Sequence, residues 1–130
     1  MYNAHLRMAQ NRSSLVGDHS VVVGTVAGVA NHFHAKNESI GLIWIDAHSD
    51  INTPETSPSG NVHGMPVAAL LGMGPALLSD LLGWSPKLRP EHTVLIGIHD
   101  IDESEMENIR RAGITNTTPC ATSTNSVSVL

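Results

Sequence analysis

Residues 40–64 read IGLIWIDAHSDINTPETSPSGNVHG. The opening run, residues 40–46, is continuously apolar up to its last position and rich in β-branched side chains. Such a run fits a strand covered on both faces, as in a parallel sheet. It ends in Asp46, His48 and Asp50, three metal-capable side chains at every second position. If the chain stays extended through Asp50, alternation turns all three to one side. Two carboxylates that close repel each other, and a divalent cation removes the conflict. Ligands of doubly wound sheets sit beyond the carboxyl ends of the strands, which is where this cluster falls. In isolation, Asp-x-His-x-Asp also fits a strand-end turn of solvated charges. Two neighbouring features weigh against that: GDHS at residues 17–20, which can bring His19 to the same place, and Ser59-x-Asn61-x-His63 downstream.

Outward from this stretch, strand and helix patterns alternate. Leu15 and Val16 read as the end of a short strand leading into the GDHS turn. From Ser20 the small, apolar run SVVVGTVAGVANHFHAK places Val22, Val26, Val29 and Phe33 at spacings of three and four, which predicts a buried helix. Asp18 or Ser20 is its candidate N-cap; a strand at VVVGTV is the alternative. Residues 52–64 hold Pro54, Pro58, Gly60 and Gly64 and are loop. Short helices are expected over 65–71, with Pro66 in the first turn, and over 75–82, ended by Gly83. EHTVLIGI, residues 91–98, is a second buried strand. Asp102 and Glu105 form a capping box for a helix through Arg111, stopped by Gly113. The alternation predicts an α/β fold, a three-layer αβα arrangement around a mostly parallel sheet. The final stretch, TNTTPCATSTNSVSVL, has no charge and no period of 2 or 3.6, and reads as a tail without regular structure.

Composition narrows the function. The chain has 130 residues, 41% of them hydrophobic, with a mean hydropathy of -0.01, as suits one globular domain. A net charge of -5 argues against nucleic acid, whose phosphates require a basic face. One cysteine, Cys120, leaves no internal disulfide, and MYNAHLRMAQNRSS lacks the apolar core of a signal peptide. No stretch approaches the ~20 apolar residues of a membrane span. A cytoplasmic protein with no membrane partner is expected. With carboxylate and imidazole donors and no thiolate, the site favours Mn²⁺, ahead of Zn²⁺, Fe²⁺, Co²⁺ and Mg²⁺.

VGDHS, WIDAHSDINTPETSPSGNVHGMP and IGIHDID together resemble the motifs of arginase, within the ureohydrolase superfamily, over roughly residues 15–114. The resemblance implies hydrolysis of L-arginine to L-ornithine and urea at a two-manganese centre. It implies His19, Asp46, His48 and Asp50 as metal ligands, Asp46 bridging, and His63 as the proton relay. Asn52 and Ser59 would hold the substrate α-carboxylate, with Ser57 and Asn61 on the same loop, and Asp102 would meet the α-ammonium. The residue chemistry agrees. Amide and hydroxyl groups donate to a carboxylate, a carboxylate accepts from an ammonium, and an imidazole exchanges protons near neutrality. Taken without the family, His63 is also an ordinary loop histidine and Asp102 a helix cap.

The chain also departs from the family pattern. Val16 stands where the first glycine of GGDHS is usual, and His99 where arginine is usual. The later Ser-x-Asp-x-Asp motif, source of two further aspartates, does not occur in the sequence. Two manganese ions and a hydroxide carry three net positive charges, which Asp46 and Asp50 do not neutralise, and burying surplus charge is costly. The expectation is a partial arginase-like domain over residues 1–114, shortened at both ends, with residues 115–130 divergent and one ion at most bound. Alternatives are a non-catalytic fragment that binds metal or associates with full-length subunits, and a hydrolase of another guanidine such as agmatine or guanidinobutyrate. Arginases often form trimers or hexamers, so a homo-oligomer is a further expectation.

Overall fold

The computed structural model describes residues 17–119. Helix α1 spans Val21–His34; strand β1, Leu42–Ile45; helices α2 and α3, Pro66–Leu70 and Ala76–Ser79. Strand β2 spans Thr93–Ile98, helix α4 Glu103–Ala112 and strand β3 Asn116–Pro119. The sheet order is β1-β2-β3 and both pairings are parallel, so the α/β class is as expected. No described helix is long and apolar enough to cross a membrane.

Side-chain alternation sets the core. Leu42 and Trp44 face the same way as Thr93 and Leu95, their register partners. On that side Trp44 and Leu95 pack with Val67, Ile109 and Ile114. A second cluster joins Val23 of α1 to Ala69, Leu70 and Leu88. Helix α2 belongs to both clusters and every one of its residues is buried, so five residues weld α1 to the sheet. Each fully buried aliphatic contributes ~1.5–3 kcal/mol.

The opposite face of β1 corrects one expectation. Ile43 and Ile45 are 67% and 75% exposed, so among the described residues β1 is covered on one side only. An apolar strand records that burial is tolerated on both faces, not that the chain supplies both covers. The described part is thus a partial αβα arrangement.

The helix expected over 75–82 breaks in two. Its regular turns end at Ser79, and a single tight turn, Leu81–Gly83, follows with Leu82 left-handed (φ 62°). The capping box of α4 is present in full: Asp102 Oδ1 accepts from the Glu105 amide at 2.7 Å, and Glu105 Oε2 accepts from the Asp102 amide at 3.2 Å. Gly113 closes the helix with φ 80°. At the head of α1 the N-cap is Ser20, whose side chain makes no capping bond; Asp18 Oδ1 accepts from the Ser20 amide at 2.7 Å.

Strand β3 corrects the reading of the tail. Asn116–Pro119 continues the sheet beside β2, where the backbone ladder and two β-branched threonines suffice without any apolar period. Residues 120–130, and the strand expected at Leu15 and Val16, lie outside the described residues.

Candidate metal centre

β1 and β2 run side by side and end together, so the loops that follow leave the same edge of the sheet. Backbone bonds stitch these loops. The Asp46 amide donates to the Ile96 carbonyl (3.1 Å), and the Ala47 carbonyl accepts from the amides of His99 and Asp100 (3.0 Å each). Gly97 permits the approach: its φ is +85°, and a Cβ there would stand 3.3 Å from the Asp46 carbonyl oxygen.

Beyond Ile45 the chain bends instead of remaining extended, and Asp50 adopts a left-handed conformation (φ 48°). Aspartate tolerates that region better than most residues. The three side chains of the Asp-x-His-x-Asp motif therefore meet through a turn, not through the pleat that the spacing suggested. The core braces this turn. The Trp44 indole N–H donates to the His48 carbonyl (3.3 Å), the Val67 amide to the Asp50 carbonyl (2.9 Å), and the buried Ser49 hydroxyl to Glu105 Oε1 (2.6 Å).

His19 arrives from the start of α1. Its Nδ1 lies 2.9 Å from Asp50 Oδ2 and its Nε2 3.6 Å from Asp46 Oδ2, while its ring packs edge-on against Trp44. His48 Nδ1 lies 3.3 Å from Asp46 Oδ1. The four residues form one connected group with Asp46 in the middle.

Their electrostatics differ. Burial pushes the Asp50 carboxyl above its ordinary value; the facing Asp46 adds to this and His19 opposes it. Burial also works against the Asp46 anion, but the His48 amide and the His19 ring outweigh it and hold its pKa low. For His48, burial disfavours the cation, yet Asp100 and Asp46 outweigh it and raise the imidazole. Two facing carboxylates, one resisting ionisation, are what a divalent cation relieves. Two carboxylates and two imidazoles without a thiolate fit manganese or a similar hard-to-borderline ion. Among the described residues no three such side chains already enclose a common point. They bond to one another, so a cation held here would replace the His19–Asp50 hydrogen bond.

An open cleft of about 470 Å³ lies over the group. His19, His48, Asp50, Asn52, Ser57, Ser59, His63 and Asp102 all line it. Asp46 touches His19 and His48 without lining the cleft. Asn61 also stays outside: it follows the left-handed Gly60 (φ +69°), is exposed, and donates its amide to Ser59 Oγ (3.2 Å). His63 sits on a tight turn, Val62–Gly64, with Nδ1 4.0 Å from Asp18 Oδ2. Three acidic wall residues were not singled out as site residues from the sequence: Asp18, Asp100 and Glu105. Asp100 had a usable signal, since it follows β2 at the same two-residue spacing from Asp102 that separates Asp46 from His48.

The sequence model of the Arginase family matches residues 2–128. The chain belongs to the arginase family. The match runs past residues 15–114, where the motifs lie, and includes the tail. Arginase of Bacillus caldovelox is 57% identical over 100 residues, covering 77% of this chain and 32% of that protein. Arginase of Bacillus subtilis is 50% identical over 100 residues with the same shares. Among solved structures, the native Bacillus caldovelox arginase matches 79% of this chain and 33% of its own, with TM-score 0.73 and 54% identity. An Entamoeba histolytica arginase in complex with L-ornithine matches with TM-score 0.70 and 41% identity. The chain spans about a third of the length of the curated relatives it matches.

Proposed function

We propose that this chain carries the metal and substrate loops of an arginase, the hydrolase that converts L-arginine and water to L-ornithine and urea. His19, Asp46, His48 and Asp50 are the proposed manganese ligands. The observation that supports this most directly is the 2.9 Å contact of His19 with Asp50, 31 residues apart, beside Asp46. Manganese, when bound, supplies a Lewis acid and lowers the pKa of water toward neutrality.

The chain's own groups provide the rest. His63, on the cleft wall, carries protons to and from the reacting centre, as an imidazole can near neutral pH. Asn52, Ser57 and Ser59 offer donors to the α-carboxylate, with Asn61 on the same loop. Asp102 receives the α-ammonium. The Ser104 hydroxyl and the Glu105 amide, against burial, hold its carboxyl below the ordinary range, so it is an anion at neutral pH. That the Entamoeba relative was solved with L-ornithine supports a ligand with both amino and carboxylate ends.

Urea release with added Mn²⁺ tests the reading. L-arginine should be hydrolysed in preference to agmatine, which lacks the carboxylate, and to guanidinobutyrate, which lacks the α-ammonium. Equal turnover of agmatine would remove the α-carboxylate role of the 52–61 loop. A second reading, a non-catalytic chain that binds metal or associates with other arginase subunits, is favoured by one observation: among the described residues no three metal-capable side chains enclose a common point. Calorimetric titration separates the two, with two Mn²⁺ ions expected for the enzyme and one or none for the non-catalytic chain.

A further inference from the structure

We infer that Asn108 and Thr56 are positioning residues for Asn52: they fix which end of its amide enters the cleft, and so build the preference for a ligand with an α-carboxylate. The inference rests on the reading of Asn52 as a donor to that carboxylate. Asn108, on α4, is 1% exposed; its Nδ2 lies 3.1 Å from the Ile51 carbonyl oxygen and 3.0 Å from Thr56 Oγ1. Thr56 Oγ1 also lies 2.8 Å from the Thr53 amide nitrogen and 2.8 Å from Asn52 Oδ1. Neither Asn108 nor Thr56 lines the cleft, whereas Asn52 does.

Donor and acceptor roles follow in turn along this row. A carbonyl oxygen only accepts, so the Asn108 atom beside Ile51 is the NH2 group. The second hydrogen of that group goes to Thr56. The Thr53 amide takes the other lone pair of the same hydroxyl. Thr56 must then donate its own proton, and Asn52 at 2.8 Å is nearer than Thr53 Oγ1 at 3.4 Å. The Asn52 atom that receives it is the carbonyl oxygen, which leaves Nδ2 as the end turned to the cleft. The Ser104 hydroxyl first, and the Asn52 amide with it, hold the Asp102 carboxyl low against burial. The N–H end of Asn52 therefore lies toward a residue of the cleft wall. Turned the other way, the amide would set an oxygen against an incoming carboxylate and repel it.

The test is calorimetric titration of the full chain, with Mn²⁺ present, against L-ornithine and against 1,4-diaminobutane, the same diamine without the carboxylate. The unaltered chain should prefer L-ornithine. Thr56→Val keeps the shape and removes the hydroxyl. It should weaken L-ornithine binding roughly 10–100-fold, the worth of a hydrogen bond to a charged group, and leave 1,4-diaminobutane binding unchanged. Thr56→Ser, which retains the hydroxyl, should retain the preference. In an Asn52→Ala background, Thr56→Val should have no further effect, the signature of action through that amide. With no variant at all, the Asn108 NH2 protons should exchange slowly with solvent. A full preference in Thr56→Val, an equal loss for both ligands, a loss in Thr56→Ser or free exchange at Asn108 overturns the inference alone. If the unaltered chain binds neither diamine, or binds the two equally, the α-carboxylate reading of Asn52 falls and this inference with it.

Discussion

Asp46 is the residue on which the others converge. It directly follows β1, receives the His48 amide, and lies within ion-pair reach of both histidines. Removing it leaves His19 and His48 without a shared partner. Asp46→Ala is therefore expected to abolish Mn²⁺ binding, seen as loss both of the calorimetric signal and of any rise in melting temperature on adding the ion. His63 is the contrasting case. It lines the same cleft, and its only ion-pair neighbour among the described residues is Asp18 at 4.0 Å. His63→Ala should leave Mn²⁺ affinity intact and lower urea release by roughly 10²–10⁴-fold, the usual worth of a proton-transferring group. A loss of metal affinity in that variant would move His63 from proton carrier to ligand. His19, Asp46, His48 and Asp50 were all readable as candidates from residue type and spacing. Asn61 was not excluded by its sequence, because only the turn at Gly60 sends it to solvent.

Helix α4 shows how a local signal and a site role share one side chain. Asp102 caps the helix and also lines the cleft. Asp102→Ala should cost about 1 kcal/mol in urea denaturation, the usual worth of an N-cap. Its pH dependence follows from its bonded anion. The folded-state pKa lies below the ordinary 3.8, so the stabilisation is complete above that value and is lost as the pH falls through the lower folded value. The stability gap between wild type and Asp102→Ala should be flat at neutral pH and close in acid below 3.8. This helix was legible from end to end because caps and stops act within a few residues. The 75–82 segment was less so, since nothing local distinguishes a continuous helix from one broken at Leu82. Strand β3 was missed because Asn116–Pro119 is held by a backbone ladder to β2, and a ladder leaves no side-chain period.

Across the sheet the two faces are energetically unequal. Leu95 is wholly buried against Trp44 and α4's Ile109, whereas Ile45 is mostly exposed. Leu95→Ala should cost about 2–5 kcal/mol through lost burial and the cavity left behind. Ile45→Ala should stay within about 0.5 kcal/mol. Comparable losses in chemical denaturation would mean that the outer face of β1 is packed in solution. The covered face also serves the loops of the candidate site, since Trp44 lies in the core yet holds the His48 carbonyl and packs against His19. Core packing and site geometry are thus coupled through one indole.

Residue order alone specified what acts over short range: the apolar strands, the caps of α4, the breakers of the 52–64 loop, and a carboxylate–imidazole cluster at a strand end. Those features depend on a residue and its near neighbours, so they survive without a fold. The meeting of His19 with Asp50, of His48 with Asp100, and of Ser49 with Glu105 joins residues 31, 52 and 56 positions apart. So does the choice of which face of β1 is covered depend on distant segments. These belong to the tertiary structure, because a bend at Asp50 and the parallel register of β1 with β2, not any periodicity, carry those side chains to one edge of the sheet.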